Sequence, residues 1–169
     1  MDEKVDFSRT LVIGNCGSGK SWLAARLAAE PIDLDLIHWA PGGYNLARDA
    51  AVAIELVRRE AARDAWVIEG VFGWLAVEVM PRATALVWLD LPIEECLANL
   101  RARGLRRGGD ATAFAALLAW AGDYGIRESS SSFAGHARLF EAFGGHRIRL
   151  GSRAEIAALL APPVGKGYA

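Results

Sequence analysis

The sequence predicts one α/β domain built on a parallel sheet that is covered by helices on both faces. Three short apolar runs, at residues 10–13, 66–68 and 85–89, are typical of buried parallel strands. Two weaker candidates, 32–36 and 146–150, bring the expected number of strands to five. Helix-like stretches lie between the strands, at 20–29, 46–63, 92–103 and 154–160. Strands that alternate with helices are typical of a doubly wound sheet, which binds ligands beyond the carboxyl ends of its strands.

Composition agrees with this interpretation and excludes several classes of protein. The 169 residues are 53% hydrophobic, which fits one domain at 1–161 with a short tail at 162–169. Basic and acidic residues number 19 and 20, so no polycationic nucleic-acid surface is expected. Two cysteines and no run of 18 apolar residues favour a cytoplasmic protein without a membrane segment. Residues 111–121 and 133–143 are predicted helices, joined by a serine run at 129–132 that is expected to cap the second.

A phosphate-binding motif follows the first predicted strand, because residues 14–21 fit the pattern G-x-x-x-x-G-K-[ST]. Glycines let backbone N–H groups surround a phosphate, Lys20 neutralises its charge, and Ser21 is a ligand for Mg²⁺. The cofactors expected are therefore ATP and Mg²⁺. Cys16 is expected to be an ordinary small residue of the loop. The alternative hypothesis is that the adjacent helix N-terminus lowers its thiol pKa and that alkylation of Cys16 blocks nucleotide binding. The predicted nucleotide-binding residues of this segment are Gly14, Asn15, Cys16, Gly17, Ser18, Gly19, Lys20, Ser21 and Trp22.

Acidic residues follow the other strands. Asp90 ends the run 85–89 in the manner of a Walker B segment, which favours either Mg²⁺ ligation or a structural role. Asp35 and Asp33 are candidates for an acceptor base or an outer Mg²⁺ partner, with turn capping as the alternative. Glu69 ends the third strand and could contact the acceptor or a metal-bound water, or else anchor a loop.

Arginines and aromatic residues complete the expected site. Four arginines, Arg101, Arg103, Arg106 and Arg107, lie among glycines and predict a mobile lid at about 104–128, which Arg127 would join. The alternative is a solvated basic helix end. His38 and Trp39 lie in an aromatic and glycine-rich loop that could form a stacking pocket with Phe72 and Trp74, or an ordinary hydrophobic cap.

Taken with the phosphate loop, the segments LDLIHW at 34–39, WVIEG at 66–70 and VWLDLP at 87–92 resemble adenylate-kinase-like P-loop proteins. Within these, the sequence is most similar to the group known as DNA topology modulation proteins (FlaR-related). The resemblance implies a three-layer α/β/α P-loop NTPase fold, like that of nucleoside-monophosphate kinases, with strand order 2-3-1-4-5. It also implies that Gly151, Ser152 and Arg153 border the adenine. Asp35, Arg48, Arg103 and Arg127 match polar residues of the group.

The sequence departs from this group at the acceptor side. The group usually reads Asp-Gly-Asn-Tyr where this chain has Glu69, Gly70, Val71 and Phe72, and the nucleoside-monophosphate pattern of true adenylate kinases is missing. The expected function is transfer of the γ-phosphoryl of ATP to an unidentified small acceptor, with nucleotides among the candidates. The alternative is a nucleotide-binding regulatory protein or a slow ATPase without a small acceptor. The predicted catalytic residues are Lys20, Asp35, Arg103, Arg107 and Arg127; the predicted acceptor-binding residues are Asp35, His38, Trp39, Arg48, Glu69 and Phe72.

Overall fold

A computed structural model describes residues 5–42, 46–106 and 109–161, and its centre is a five-stranded parallel sheet in the order β2-β3-β1-β4-β5. The strands are β1 (Arg9–Gly14), β2 (Ile32–Asp33), β3 (Trp66–Gly70), β4 (Ala85–Leu89) and β5 (His146–Leu150). The predicted fold class and strand order are confirmed. The predicted tail at 162–169 lies outside the described residues.

Eight helices within the described ranges connect and cover these strands. They are α1 (Lys20–Leu27), α2 (Leu34–His38), α3 (Ala50–Ala61), α4 (Gly73–Val79), α5 (Ile93–Arg103), α6 (Ala111–Gly122), α7 (Phe133–Ala142) and α8 (Arg153–Leu160), with 3₁₀ turns at Met80–Arg82 and Asp123–Gly125. The longest of them have twelve residues, and none could cross a bilayer. The serine run caps α7 as expected, since Ser132 Oγ accepts from Gly135 N at 3.1 Å.

The three central strands are buried and separate two apolar layers. Leu11 and Ile13 of β1 pack in one cluster with residues of α3 and α4. Val12, between them, points to the opposite cluster, where Leu23 of α1 and Ile156 of α8 lie. This alternation follows from the two-residue period of a strand. The helices therefore cover both faces and leave the carboxyl ends of β1, β3 and β4 to form the site.

The structure corrects the sequence prediction at the second strand. The strand expected over 32–36 ends at Asp33, and Asp35 lies in the first turn of α2. The reason is local, because the Asp33 carboxylate accepts from Asp35 N at 2.8 Å and caps the helix. The helix expected over 46–63 begins only at Ala50, since Ala47 pairs with Trp39 in an antiparallel bridge and Asp49 caps α3. Helix α4 had no counterpart in the sequence prediction.

Candidate functional site

The loop at 14–21 joins β1 to α1 and is fixed by side chains from within and from outside it. Gly17 and Gly19 have φ angles of 79° and 90°, which only glycine adopts readily. Asn15 is 2% exposed. Its side-chain Nδ2 donates to the carbonyl of Ala121 at 2.9 Å, and its side-chain Oδ1 accepts from Cys16 N at 2.8 Å. The loop is therefore held against the end of α6 before any ligand binds.

Lys20, the first residue of α1, extends back into this loop. Its Nζ donates to the carbonyl of Asn15 at 2.6 Å, and the residue is only 8% exposed. An ammonium group donates hydrogen bonds and accepts none, so a carbonyl oxygen is a suitable partner. A phosphate bound in the loop would replace that carbonyl with a stronger, anionic acceptor.

Ser21 and Glu69 form a pair of oxygen donors beside the loop. Ser21 Oγ donates to Glu69 Oε1 at 2.6 Å. Glu69 is 3% exposed, and burial raises the pKa of its carboxyl. Lys20 and the Ser21 hydrogen bond act in the opposite direction, whereas the charges of Asp33 and Asp35 raise this pKa further. A cation bound here would relieve the cost of the buried charge.

Asp90 lies at the end of β4, and its carboxylate has a different partner. Asp90 Oδ2 accepts from Arg149 Nε at 3.0 Å and from Nη2 at 2.5 Å. The Arg149 guanidinium also lies 4.4 Å from the ring centre of Trp88. Of the two strand-end carboxylates, Glu69 is the one that contacts Ser21. Metal ligation by Asp90 stays a prediction.

The oxygen donors at this site can be compared with those that a magnesium–nucleotide complex requires. Within the described ranges, no group of three or more His, Cys, Asp or Glu residues could hold a metal alone. Mg²⁺ does not require such a cage, because it commonly binds one or two protein oxygens and completes its shell with phosphates and water. Ser21 and Glu69 supply that kind of donor set, so the residues present fit a magnesium–nucleotide complex.

A cavity of about 560 Å³ extends from the loop across the N-terminal end of α1. It is lined by Gly17, Ser18, Gly19, Lys20, Ser21, Trp22, Leu91, Asn99, Arg103, Arg106, Arg153, Ile156 and Ala157. Its polar side chains are basic or neutral, and Trp22, Leu91, Ile156 and Ala157 supply apolar lining. This volume and this mixture suit a ligand with an anionic end and a less polar end.

One wall of the cavity is a hydrogen-bonded chain that joins α8 to the loop. Arg153 Nε donates to Glu95 Oε1 at 2.6 Å, and Arg153 Nη2 donates to Asn99 Oδ1. The Asn99 amide in turn donates to the carbonyl of Gly17 at 2.8 Å. Asn99 was missed by the sequence analysis. A signal was present, since Asn99 precedes Arg103 by four positions and so shares its helix face.

The other two residues predicted beside the adenine have local roles. Gly151 N donates to Glu155 Oε2 at 2.6 Å, and Ser152 Oγ caps α8 by accepting from Glu155 N at 3.2 Å. Of the three residues predicted there, Arg153 is the one that lines the cavity. The adenine contact of Gly151 and Ser152 stays a prediction.

Arg127, which follows α6, is held by an aromatic ring and a backbone carbonyl. The Arg127 guanidinium lies 3.7 Å from the ring centre of Trp120, and its Nη2 donates to the carbonyl of Ser131 at 3.1 Å. Its Nε is buried without a hydrogen-bond partner. Burial lowers the pKa of Arg127, although nearby acidic groups oppose this shift. Arg107, predicted to be catalytic, lies outside the described residues.

The thiol of Cys16 does not have the lowered pKa that its position suggested. Burial raises the pKa of Cys16 above its ordinary value, and the charge of Asp35 adds to this. Lys20, Arg103 and Arg127 act in the opposite direction without reversing it. That hypothesis was wrong because desolvation outweighs the nearby positive charges.

Aromatic side chains cluster beyond Glu69, on the β2 side of the sheet. His38 stacks on Phe72 with ring centres 3.9 Å apart and planes at 23°. Trp39 and Trp74 meet the His38 ring edge-on at 4.5 and 5.7 Å. Burial lowers the pKa of His38, whose Nδ1 is buried without a hydrogen-bond partner. The predicted aromatic group therefore exists; its acceptor role stays a prediction.

Arg48 lies beside this group but is engaged by the backbone. Its Nε donates to the carbonyl of Ile37 at 2.9 Å, and its Nη2 donates to the carbonyls of Leu36 and Trp39 at 3.3 Å. These carbonyls are at the end of α2, so Arg48 stabilises the helix terminus. The structure gives it a positioning role, and its contact with an acceptor stays a prediction.

Comparison with known proteins supports the fold. No protein-family model matches the sequence, and no curated protein matches it. The unliganded crystal structure of a sugar kinase from a Janibacter species is similar with a TM-score of 0.53 and 16% identity, over 92% of this chain and 91% of that one. A Thermus thermophilus protein gives a TM-score of 0.50 and 18% identity, over 92% and 97%. The chain thus has a kinase-like α/β fold with a five-stranded parallel sheet. The narrower resemblance to topology modulation proteins stays a prediction.

Proposed function

We propose that this protein is an ATP- and Mg²⁺-dependent phosphotransferase that moves the γ-phosphoryl group to a small acceptor. The observation that carries the proposal is the pairing of Ser21 with the buried carboxylate of Glu69 beside Lys20. A phosphate loop, a hydroxyl and a carboxylate at one edge of a sheet are the components that metal-assisted phosphoryl transfer needs. The fold shared with a sugar kinase supports the same conclusion at a coarse level.

The loop and its surroundings would hold the nucleotide. Backbone N–H groups between Gly14 and Ser21 would surround the β- and γ-phosphates, and Lys20 would exchange the Asn15 carbonyl for a phosphate oxygen. The cavity along α1 would take the rest of the nucleotide, with Arg153 beside it. Ser21 and Glu69 would hold Mg²⁺, which supplies charge neutralisation on the phosphates when it is bound.

The transfer itself requires an acceptor hydroxyl in line with the γ-phosphate. The hydroxyl oxygen forms a bond to phosphorus while the bond to the β–γ bridging oxygen breaks, and ADP leaves with that electron pair. Asp35 is the candidate to take the hydroxyl proton. Lys20, Arg103 and Arg127 would stabilise the charge that develops on the transferring group. A lid formed by about 104–128 would exclude water from the site.

The test is transfer of radiolabel from [γ-³²P]ATP with Mg²⁺ to a panel of nucleosides, nucleoside monophosphates, sugars and polyols. Lys20→Ala is the inactive control, and Arg59→Ala, which removes an exposed cation on α3, is the matched control for charge. We expect transfer to at least one acceptor, retained in Arg59→Ala and lost in Lys20→Ala. ATP binding with no transfer would contradict the proposal and favour a nucleotide-binding regulator. Phosphate release that no acceptor alters would favour a slow ATPase.

A further inference from the structure

Arg127 has contacts that hold both its side chain and its backbone. Its guanidinium lies 3.7 Å from the ring centre of Trp120, and its Nη2 donates to the carbonyl of Ser131 at 3.1 Å. Its backbone N–H donates to the carbonyl of Asp123 at 3.0 Å, in the turn that follows α6. The position of the guanidinium is therefore set by the protein itself and does not depend on closure of a lid.

The helix end that carries Trp120 is hydrogen-bonded to the phosphate loop. Asn15, the second residue of the loop, is 2% exposed, and its Nδ2 donates to the carbonyl of Ala121 at 2.9 Å. Ala121 directly follows Trp120. Two contacts and one peptide bond thus lead from the guanidinium of Arg127 to the start of the loop. The charges of Cys16 and Arg127 also act on each other.

The cavity indicates which phosphate would lie at this end of the loop. Residues 17–22 line the cavity, which extends from the loop across the N-terminal end of α1. Asn15, Cys16 and Arg127 are not among its lining residues. If the nucleoside occupies the cavity, as proposed above, the terminal phosphate lies toward the opposite end of the loop. That end is the one that Asn15 holds against α6, close to Trp120 and Arg127.

Arg127 also has unused capacity for hydrogen bonds. Its Nε is buried without a hydrogen-bond partner, and a buried donor that lacks a partner costs free energy. Burial lowers the pKa of Arg127, so desolvation acts against its charge. The indole of Trp120 attracts the cation but has no hydrogen-bond acceptor. An anionic oxygen beside the guanidinium would supply both an acceptor and a compensating charge.

From this arrangement we infer that Trp120 is a positioning residue, which holds Arg127 toward the γ-phosphate of ATP and thereby sets a preference for ATP over ADP. The inference rests on the proposed function, because it concerns the nucleotide of the same site. Trp120 acts through Arg127, since its ring face keeps the guanidinium plane in one orientation. A cation that is ordered in advance loses less conformational freedom when the phosphate binds.

Calorimetry of ATP and ADP binding in the presence of Mg²⁺ tests the inference with two variants of Trp120. Trp120→Met fills the space with a flexible apolar side chain, whereas Trp120→Phe retains an aromatic face. We expect Trp120→Met to lower ATP affinity about tenfold and ADP affinity by less than about twofold, because only ATP has a γ-phosphate. Trp120→Phe should retain most of the preference for ATP.

The matched control is Phe140→Leu, which removes the ring that lies 5.4 Å from the guanidinium of Arg147. This pair joins α7 to β5, and neither residue lines the cavity. Both nucleotide affinities should be unchanged in Phe140→Leu. A loss of ATP preference in this control as large as that in Trp120→Met would overturn the inference.

A double variant shows whether Trp120 acts through Arg127. Arg127→Met should lower ATP affinity at least as much as Trp120→Met does, again with little effect on ADP. Adding Trp120→Met to Arg127→Met should change ATP affinity by less than about twofold, because the two residues act as one unit. Losses that add in the double variant would overturn the inference, since the ring would then act separately from the guanidinium.

The remaining outcomes separate this inference from the proposed function. Equal losses of ATP and ADP affinity in Trp120→Met would mean that the ring only supports the loop, and they would overturn the inference. Unchanged affinities, or the same loss of ATP preference in Trp120→Phe as in Trp120→Met, would overturn it too. ATP binding without transfer to any acceptor would contradict the proposed phosphotransferase and leave this inference intact. Absence of nucleotide binding by the wild type would overturn both.

Discussion

The two sides of the candidate site differ in charge and in construction. On the nucleotide side, Lys20, Arg103 and Arg153 line a cavity, and a chain of hydrogen bonds fixes its wall. On the acceptor side, Asp33 and Glu69 come from a two-residue strand and its neighbour, and aromatic rings form the rest of the surface. One side is a cavity with arginines in a cross-linked wall, and the other is built from short elements that carry carboxylates and aromatic rings.

The first side has features that any triphosphate site needs, whereas the second side has features that are specific to this protein. A triphosphate makes the same demands in every protein that binds it, namely N–H donors, cations and a divalent metal. The proposed acceptor side has no such common requirement, so under the proposed function its side chains would determine the second substrate. Lys20 and Glu69 lie where the two sides of the site meet. The first prediction removes the carboxylate of Glu69.

The largest effect is expected from Glu69→Gln. The amide still accepts the Ser21 hydroxyl bond but lacks the charge that would hold Mg²⁺. We expect kcat to fall by about 100-fold or more, with a raised Mg²⁺ requirement, both measured by ADP formation across a magnesium titration.

Protein stability should move in the opposite direction in that variant. Because the folded-state pKa of Glu69 is raised, deprotonating this carboxyl at neutral pH costs more in the folded than in the unfolded state. Glu69→Gln should therefore unfold at the same temperature as the wild type or a higher one, as measured by calorimetry. A less stable, equally active variant would show that Glu69 only anchors the loop.

The second prediction concerns a buried network that joins the two sides. Trp88 Nε1 donates to Tyr124 Oη at 3.2 Å, and Tyr124 Oη lies 2.7 Å from His136 Nδ1. His136 Nε2 lies 2.8 Å from the carbonyl of Val71, which precedes Phe72. The Val71 carbonyl only accepts, so His136 Nε2–H donates to it. Burial lowers the pKa of His136 to about 4, so at neutral pH its Nδ1 carries no proton and accepts from Tyr124 O–H. His136 is therefore neutral.

Stability should consequently depend on pH. Burial lowers the pKa of His136 from 6.5 to about 4. Between these values the unfolded chain binds the proton and the folded chain does not, so the free energy of unfolding falls as the pH drops through this window. The loss attributable to His136 should reach about 3 kcal/mol near pH 4. Urea titrations at pH 7, 5.5 and 4 measure it.

The control for this effect is His136→Gln, which keeps one donor and one acceptor but does not titrate. Its stability at pH 7 should be lower because the packing changes, yet its pH dependence should be flatter than that of the wild type. Parallel pH profiles for the two proteins would contradict the assignment to His136.

Some features of the fold could be predicted from the sequence alone. The sheet was predictable because β1, β3 and β4 are continuous apolar runs, and the phosphate loop was predictable because its residues are contiguous. Helix α4, with seven residues, is too short for a helical period to be distinctive. The second strand was too long in the prediction because apolar residues at 32, 34 and 36 alternate, and the Asp33 cap overrides that pattern.

The walls of the site were harder to predict from the sequence than its phosphate loop. Arg153 contacts Glu95 and Asn99 across 58 and 54 positions, and no local pattern announces such contacts. Arg48 was expected to bind the acceptor because it matches a polar residue of the group that the sequence resembles. The structure shows its guanidinium donating to carbonyls at the end of α2, which the 46–49 segment brings within reach by turning back on Trp39.

The third prediction sharpens the nucleotide side. Asn99→Ala removes the bond to the Gly17 carbonyl and the partner of Arg153. One such hydrogen bond is worth about 1 kcal/mol, so ATP affinity should fall about fivefold to tenfold. Calorimetry measures it, with Asn99→Asp restoring the contact to Arg153 but not the one to Gly17. An unchanged affinity in both variants would mean that the loop does not depend on this wall.

The smallest effect is expected from Asp90→Asn, which decides between the two strand-end carboxylates. Asp90 is paired with Arg149, whose side chain is 48% exposed, and such pairs contribute about 0–1 kcal/mol to stability. The Mg²⁺ concentration for half-maximal activity should change by less than about threefold, because the hydroxyl of Ser21 contacts Glu69 instead. A magnesium titration of Asp90→Asn beside Glu69→Gln measures both under one condition. If Asp90→Asn shows the larger shift, the metal lies on the β4 side of the loop, and Asp90 rather than Glu69 is the carboxylate that binds it.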